Sequence, residues 1–257
     1  MYKKRYGQNF LINNNISKKI LFEEKITNQN ILEIGTGNLA LTNLIVTEKP
    51  KKFIGIEVDT DMRDVYLQNN ILDNIIFEDA LSVNERRLFK NGNFSIISNL
   101  PFNISSELII KWCRIQCSHK CINSMTLMFQ KELAERIIAK KNTKKYGRLS
   151  ILCSAFFLIK EKLKVSKNNF FPKPKVDATV LKFIPHKENK IKSNNFTILE
   201  KLTRIFFNER RKKNKKKIIK VFSDDQILKY NLKRFYDLRP ENIDNKVFFK
   251  LCDILKL

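Results

Sequence analysis

Hydrophobic positions along the chain fall into two regimes. Between residues 30 and 99 they come as short runs: Ile31-Leu32 with Ile34, Phe53-Ile54 with Ile56, Ile75-Ile76-Phe77, and Phe94 with Ile96-Ile97. Runs of this length, punctuated by glycine, asparagine and acidic residues, predict buried strands of a parallel sheet over residues 30–34, 53–57, 74–77 and 94–97. An amphipathic helix precedes them from about residue 15 to 22. Further on, residues 156–165, with alternating lysines, and 176–184 predict two more strands, and residues 146–154 a helix start. Apolar periodicity lapses over residues 186–195, which read as a linker. Beyond it Leu199, Leu202, Ile205 and Phe206, then Val247, Phe248, Leu251 and Leu255, recur at helical spacing. The expected fold class is α/β: a mostly parallel sheet domain over residues 1–187, then a small all-helical domain over 188–257.

Composition supports a real core, with 43% apolar residues and only 6 Gly and 6 Pro in 257 residues. Charge changes the picture more. Lys+Arg of 50 against Asp+Glu of 26 leaves a formal +24, which favours a polyanionic partner. No run of about 18 apolar residues is present, so a membrane-spanning helix is not expected. The basic start, Lys3-Lys4-Arg5, leads into polar Gln8-Asn9 without a signal-peptide core, and five cysteines suit free thiols in a reducing compartment. A cytoplasmic location is expected. Cys113, Cys117 and Cys121 recur every four residues and could share a helix face, but paired Cys-x-x-Cys knuckles are absent, so they read as small core residues and no metal is expected.

The chemistry gathers where the predicted strands end. After the first comes Glu33-Ile34-Gly35-Thr36-Gly37-Asn38-Leu39-Ala40, a glycine turn that lets backbone approach a ligand ahead of a helix. Glu57, ending the second, lies 22 positions after Gly35, the separation expected of a carboxylate that binds ribose hydroxyls. Asp79 follows the third and could accept from an adenine amino group. The pattern Gly35-x-Gly37-x-x-Ala40 also fits dinucleotide enzymes, but a carboxylate at Glu33 would face a pyrophosphate poorly and suits the ammonium of S-adenosylmethionine. The fourth strand ends in Ser98-Asn99-Leu100-Pro101-Phe102. There an amide, an extended backbone carbonyl and a ring suit a planar heterocycle bearing an amino group, although a plain strand-to-helix turn would look the same.

Eight motifs in order carry a resemblance. Gly7-Gln8-Asn9-Phe10-Leu11, Glu33-Ile34-Gly35-Thr36-Gly37, Asp79-Ala80-Leu81, Asn99-Leu100-Pro101-Phe102, Gln130-Lys131-Glu132-Leu133-Ala134-Glu135-Arg136, Tyr146-Gly147-Arg148-Leu149-Ser150, Phe171-Pro172-Lys173-Pro174-Lys175-Val176-Asp177 and Phe207-Asn208-Glu209-Arg210-Arg211-Lys212 span almost the whole chain. Together they resemble the ribosomal RNA adenine N6-dimethyltransferases, and Leu238-Arg239-Pro240-Glu241-Asn242-Ile243 resembles the tail of their small-subunit, KsgA-type branch. The resemblance implies a Rossmann-like class I methyltransferase domain with a seven-stranded sheet, and a helical RNA-binding domain. It implies S-adenosylmethionine held by Gln8, Asn9, Leu11, Glu33, Gly35, Gly37, Glu57, Val58, Asp79, Ala80 and Asn99. Catalysis would rest on Asn99, Leu100, Pro101 and Phe102, the last stacking on the target base. Leu39 departs from the family, which usually has glycine there, and Glu78 stands where glycine is common.

The RNA contacts are expected at Phe171, Arg148, Arg210, Arg211, Lys212, Lys213, Lys215 and Lys216. Seven of the eight residues 210–217 are basic, a concentration of like charge that a solvated helix face would not favour without counter-charges. The implied substrate is 16S rRNA in a pre-30S particle, at two adjacent adenosines near its 3′ end, acted on by a monomer. Two alternatives stand beside it: a 23S rRNA adenine methylase that confers antibiotic resistance, and a non-catalytic nucleic-acid-binding factor.

Overall fold

A computed structural model of the chain describes residues 6–255, so the basic cluster Lys3-Lys4-Arg5 lies outside the described residues. Two compact units form. Among the described residues one comprises 6–112, 120–134 and 159–185; the other comprises 113–119, 135–158 and 186–255. The second therefore holds the C-terminal helices together with two earlier segments.

Among the described residues there are nine strands: β1 (Phe10–Leu11), β2 (Asn30–Ile34), β3 (Lys52–Glu57), β4 (Ile75–Phe77), β5 (Phe94–Asn99), β6 (Ile122–Gln130), β7 (Phe157–Val165), β8 (Phe170–Phe171) and β9 (Ala178–Pro185). Seven make one sheet in the order β4-β3-β2-β5-β6-β9-β7. Neighbours from β4 to β6 are parallel and β9 runs antiparallel to β6. The central strands β2, β3 and β5 are buried on both faces, which is why they appear in sequence as short apolar-rich runs rather than strict alternations. Their shared direction brings Gly35, Glu57, Asp79 and Asn99 to one edge. A separate two-stranded ribbon pairs Phe10 with Phe171 and Leu11 with Phe170. That pairing joins residues far apart in the chain, and no local periodicity announced it.

The helices are α1 (Asn14–Leu21), α2 (Thr42–Thr47), α3 (Arg63–Gln68), α4 (Glu85–Leu88), α5 (Ser105–His119), α6 (Lys131–Ile137), α7 (Arg148–Ser154), α8 (Phe196–Asn208), α9 (Lys215–Val221), α10 (Asp224–Lys229) and α11 (Asn245–Ile254). In the second unit α7, α8 and α11 share a core containing Leu152, Leu202, Phe206 and Phe248, with the Phe206 and Phe248 rings edge-on at 5.4 Å. The expected linker over 186–195 is not loose: His186 N–H donates to the Phe156 carbonyl and Lys190 N–H to that of Ala155, both at 2.9 Å. Backbone bonds of this kind leave no mark on hydropathy. Cys113, Cys117 and Cys121 are buried, and Cys113 lies 4.0 Å from Cys153, whose neighbourhood and burial push the Cys113 thiol up. Among the described residues no helix is long and apolar enough to cross a membrane.

Candidate cofactor cavity and basic segment

At the carboxyl edge of the sheet lies a cavity of about 240 Å³, bordered by the N-terminal segment, the glycine turn and the ends of β3, β4 and β5. Of the expected cofactor residues Gln8, Asn9, Leu11, Glu33, Gly35, Gly37, Glu57, Val58, Asp79, Ala80 and Asn99 all border it, as do Leu100 and Pro101. Phe102 does not. Its ring packs edge-on against Phe170 at 6.4 Å, beside the hydrophobic core. Phe171, on the ribbon opposite Phe10, is 60% exposed.

The turn after β2 is shaped for close approach. Gly35 and Gly37 have φ of 70° and 48°, and a Cβ on them would come within 3.2 Å of the Pro101 ring and 2.9 Å of the Phe10 ring. Leu39 holds the same left-handed geometry, φ 64°, although it carries a side chain. Its burial at 1% exposure offsets a backbone cost of about 1–2 kcal/mol, so the turn keeps its path without the third glycine.

Glu57 fixes that turn from β3. One carboxylate oxygen accepts from Val58 N–H (2.9 Å) and Asp59 N–H (3.0 Å), the other from Gly37 N–H (3.1 Å) and Tyr66 O–H (3.2 Å). Thr36 Oγ1 donates to the Tyr66 hydroxyl at 2.9 Å. Burial and the nearby Glu57 charge push the Tyr66 phenol up. Glu33 is 2% exposed and accepts from Thr42 Oγ1 at 2.7 Å; burial, outweighing that bond, pushes its carboxyl up to about 8. Asp79 is exposed and commits one oxygen to Leu81 N–H at 2.9 Å.

Asn99 is the centre of the arrangement. Its amide donates to the Asn9 carbonyl at 3.0 Å, while its buried Oδ1 accepts nothing. An orphaned acceptor costs about 1–3 kcal/mol and is kept where a ligand supplies the donor. The Asn9 contact explains why a motif at the very start of the chain belongs to the site. Tyr6, Gly7, Phe10, Thr36, Asn38, Leu41, Ile56, Asn103 and Ile104 also line the cavity and were missed. Thr36 and Asn38, between and beside the glycines, and Gly7 and Phe10, within the first motif, had a local signal; the Asn38 amide donates to the Leu11 carbonyl at 2.9 Å.

In the second unit the basic run is partly neutralised. Lys212 pairs with Glu209 at 2.6 Å, Lys213 with Asp237 at 2.9 Å, and Arg210 Nε approaches Glu241 at 3.8 Å. Lys217 turns inward, its ammonium donating to the carbonyls of Phe206, Glu209 and Lys212. Arg211, Lys215 and Lys216 remain exposed. Arg148 sits with Arg210, Arg136 and Lys145 around a cavity of about 190 Å³. Its guanidinium lies 3.9 Å from Glu200, and burial and Arg204 hold its pKa below the ordinary value.

Comparison with known proteins agrees with this geometry. A family model described as ribosomal RNA adenine dimethylase matches residues 1–256. The chain is 41% identical over 250 residues to a ribosomal RNA small subunit methyltransferase A of Pelagibacter ubique, covering 97% of this chain and 95% of that protein. It superposes on a dimethyladenosine transferase from Plasmodium falciparum with a TM-score of 0.75 at 28% identity, covering 94% and 95% of the two chains. The 23S rRNA methyltransferase ErmE shares the fold at TM-score 0.69 and 19% identity, covering 97% and 100%. With its full length matched and its site motifs gathered at one sheet edge, the chain belongs to the ribosomal RNA adenine dimethylase family.

Proposed function

We propose that the chain transfers methyl groups from S-adenosylmethionine to the exocyclic N6 of adenosine in small-subunit ribosomal RNA. The particular target is two adjacent adenosines near the 3′ end of 16S rRNA, presented by a pre-30S particle to a monomeric enzyme. The observation that carries the reading is Asn99 Oδ1, buried at the cavity wall with no donor. Among the buried polar atoms of the described residues that lack a partner, it is the one on a residue that borders the cavity, where a substrate amino group can supply the donor.

The cavity suits the cofactor end by end. Glu33, whose burial disfavours its charge, gains from the cofactor's ammonium; Gly35 and Gly37 give room for the methionine portion; Glu57 and Val58 border the place for the ribose and Asp79 and Ala80 for the adenine. The cofactor supplies an electrophilic methyl on a sulfonium. The adenine amino group is a weak nucleophile because its lone pair is delocalised into the ring. Asn99 Oδ1 and the Leu100 carbonyl accept its two hydrogens, drawing the nitrogen toward tetrahedral geometry and localising the lone pair. Pro101 keeps that backbone extended. Alkylation makes the nitrogen acidic, so water can take the proton, and among the described residues no His or Cys borders the cavity. Phe102, next to Pro101 at the cavity wall, and Phe171, exposed on the ribbon opposite Phe10, are the two rings assigned to the base.

A 23S target is disfavoured by the 41% identity to a small-subunit enzyme against 19% to ErmE. A non-catalytic factor is disfavoured by the orphaned acceptor. The test is to incubate the protein, in parallel reactions, with undermethylated 30S subunits and with unmodified 23S rRNA, each with isotopically labelled cofactor, then map modified positions. Two dimethylated adjacent adenosines near the 16S 3′ end are expected. Label confined to 23S rRNA, or none with the cofactor bound, overturns the reading.

A further inference from the structure

Beneath the loop that carries Asp79 lies a polar cluster with no part in the chemistry above. On its outer side the loop closes on itself: Leu81 N–H donates to Asp79 Oδ1 and Ser82 N–H to the Asp79 carbonyl, both at 2.9 Å. On its inner side the carbonyls of Ala80 and Val83 accept from one group, the Lys111 ammonium of α5, at 2.7 and 2.6 Å. The same nitrogen lies 3.0 Å from Glu85 Oε1. Three acceptors thus match its three N–H donors. Glu85, at 1% exposure, also accepts Trp112 Nε1–H at 2.9 Å, and Trp112 is fully buried. Lys111 of α5 grips the loop and its neighbour Trp112 holds Glu85 of α4, while Asp79 and Ala80 border the cavity and Lys111, Glu85 and Trp112 do not. A lysine saturated by protein acceptors has no donor left for a ligand, but it can hold a loop in place.

We propose that Lys111 is a positioning residue for adenine recognition, fixing the Asp79–Val83 loop so that the carboxylate of Asp79 stays in register with the adenine amino group. This rests on the assignment of Asp79 to that amino group. The rest of the cofactor is held by the ends of β2 and β3, whose geometry is set by the sheet, so a loosened loop should weaken one end of the ligand selectively.

Removing Lys111 alone would strand the buried Glu85 charge, so the test uses Lys111→Met combined with Glu85→Gln, which keeps an acceptor for Trp112. Calorimetry compares S-adenosylhomocysteine with S-inosylhomocysteine, which carries an oxygen in place of the amino group. The unaltered protein should favour the adenosyl ligand by about tenfold or more, the value of one well-made hydrogen bond to a charged group. In the double variant the adenosyl ligand should weaken about tenfold and the inosyl ligand by less than about threefold, so discrimination collapses. Glu85→Gln alone keeps the lysine on both carbonyls and should retain full discrimination. Equal weakening of both ligands, or unchanged discrimination, in the double variant overturns the proposal. Asp79→Ala separates the two levels: if it loses discrimination and the double variant does not, Lys111 alone is misassigned. If Asp79→Ala still discriminates, the Asp79 assignment falls and the role of Lys111 with it.

Discussion

Asn99 splits its amide, the nitrogen donating to the Asn9 carbonyl and the oxygen left as the acceptor that the proposed function gives to the base. Asn99→Ala should therefore lower methyl transfer at least about 100-fold, the scale of losing one acceptor or donor aimed at a reacting centre. Cofactor affinity measured by calorimetry should change far less, and near-normal turnover would remove the residue from the chemistry. Glu33 makes a different prediction because its carboxyl is pushed up to about 8. Between the unfolded value near 4.5 and 8, the folded protein binds the extra proton. Its contribution to stability is thus complete below 4.5 and is lost as pH rises through 8. An arriving ammonium favours the ionised form, so cofactor binding near pH 7 should release close to one proton. Titrations in buffers of differing ionisation enthalpy read this directly; heats independent of buffer would refute it. Glu33→Gln should abolish the proton release and weaken the cofactor.

At the scale of elements, two side chains hold backbone that the local sequence does not favour. Leu39→Gly would relieve the left-handed strain but empty a buried site, and burial is the larger quantity, so a net loss of about 1–3 kcal/mol is expected by chemical denaturation. A gain in stability would mean that the strain dominates. Lys217→Met would leave the carbonyls of Phe206, Glu209 and Lys212 without their donor at the end of α8. A loss of about 2–4 kcal/mol follows, with little change in RNA affinity if the side chain is structural. These residues show what was legible. Four of the parallel strands, β2 to β5, and the amphipathic α8 and α11 were readable because periodicity is local and burial enforces it, whereas β6, the fifth, was not read. The glycine turn, Glu57 and Asp79 were readable because their chemistry is tied to strand ends. The β1–β8 ribbon, the Asn99–Asn9 bond and the Lys111 cluster were not, since each joins segments brought together only by the fold. Lys217 looked like one more surface cation in a basic run, and only its three carbonyl partners reveal otherwise.

For the whole molecule, a formal charge of +24 predicts strong salt dependence of RNA binding, but charge alone does not say which cations meet phosphate. The pairing within 210–217 does. Lys212 and Lys213 already have carboxylate partners in Glu209 and Asp237, so phosphate must displace an existing ion pair to gain them. Arg211, Lys215 and Lys216 are exposed and carry no such cost from a close pair of their own. Replacing these three by alanine should lower the slope of log affinity against log salt by about 2–3, near one per lost phosphate contact. The pair Lys212→Ala with Lys213→Ala should change it by less than about 1, because these two ammoniums are committed to Glu209 and Asp237 and make no phosphate contact whose loss the slope would report. Measured on 30S particles over a range of potassium chloride concentrations, equal slopes for both variants would mean that the run acts as a diffuse field. Unequal slopes in the stated order would mean that its acidic neighbours select which cations face the RNA.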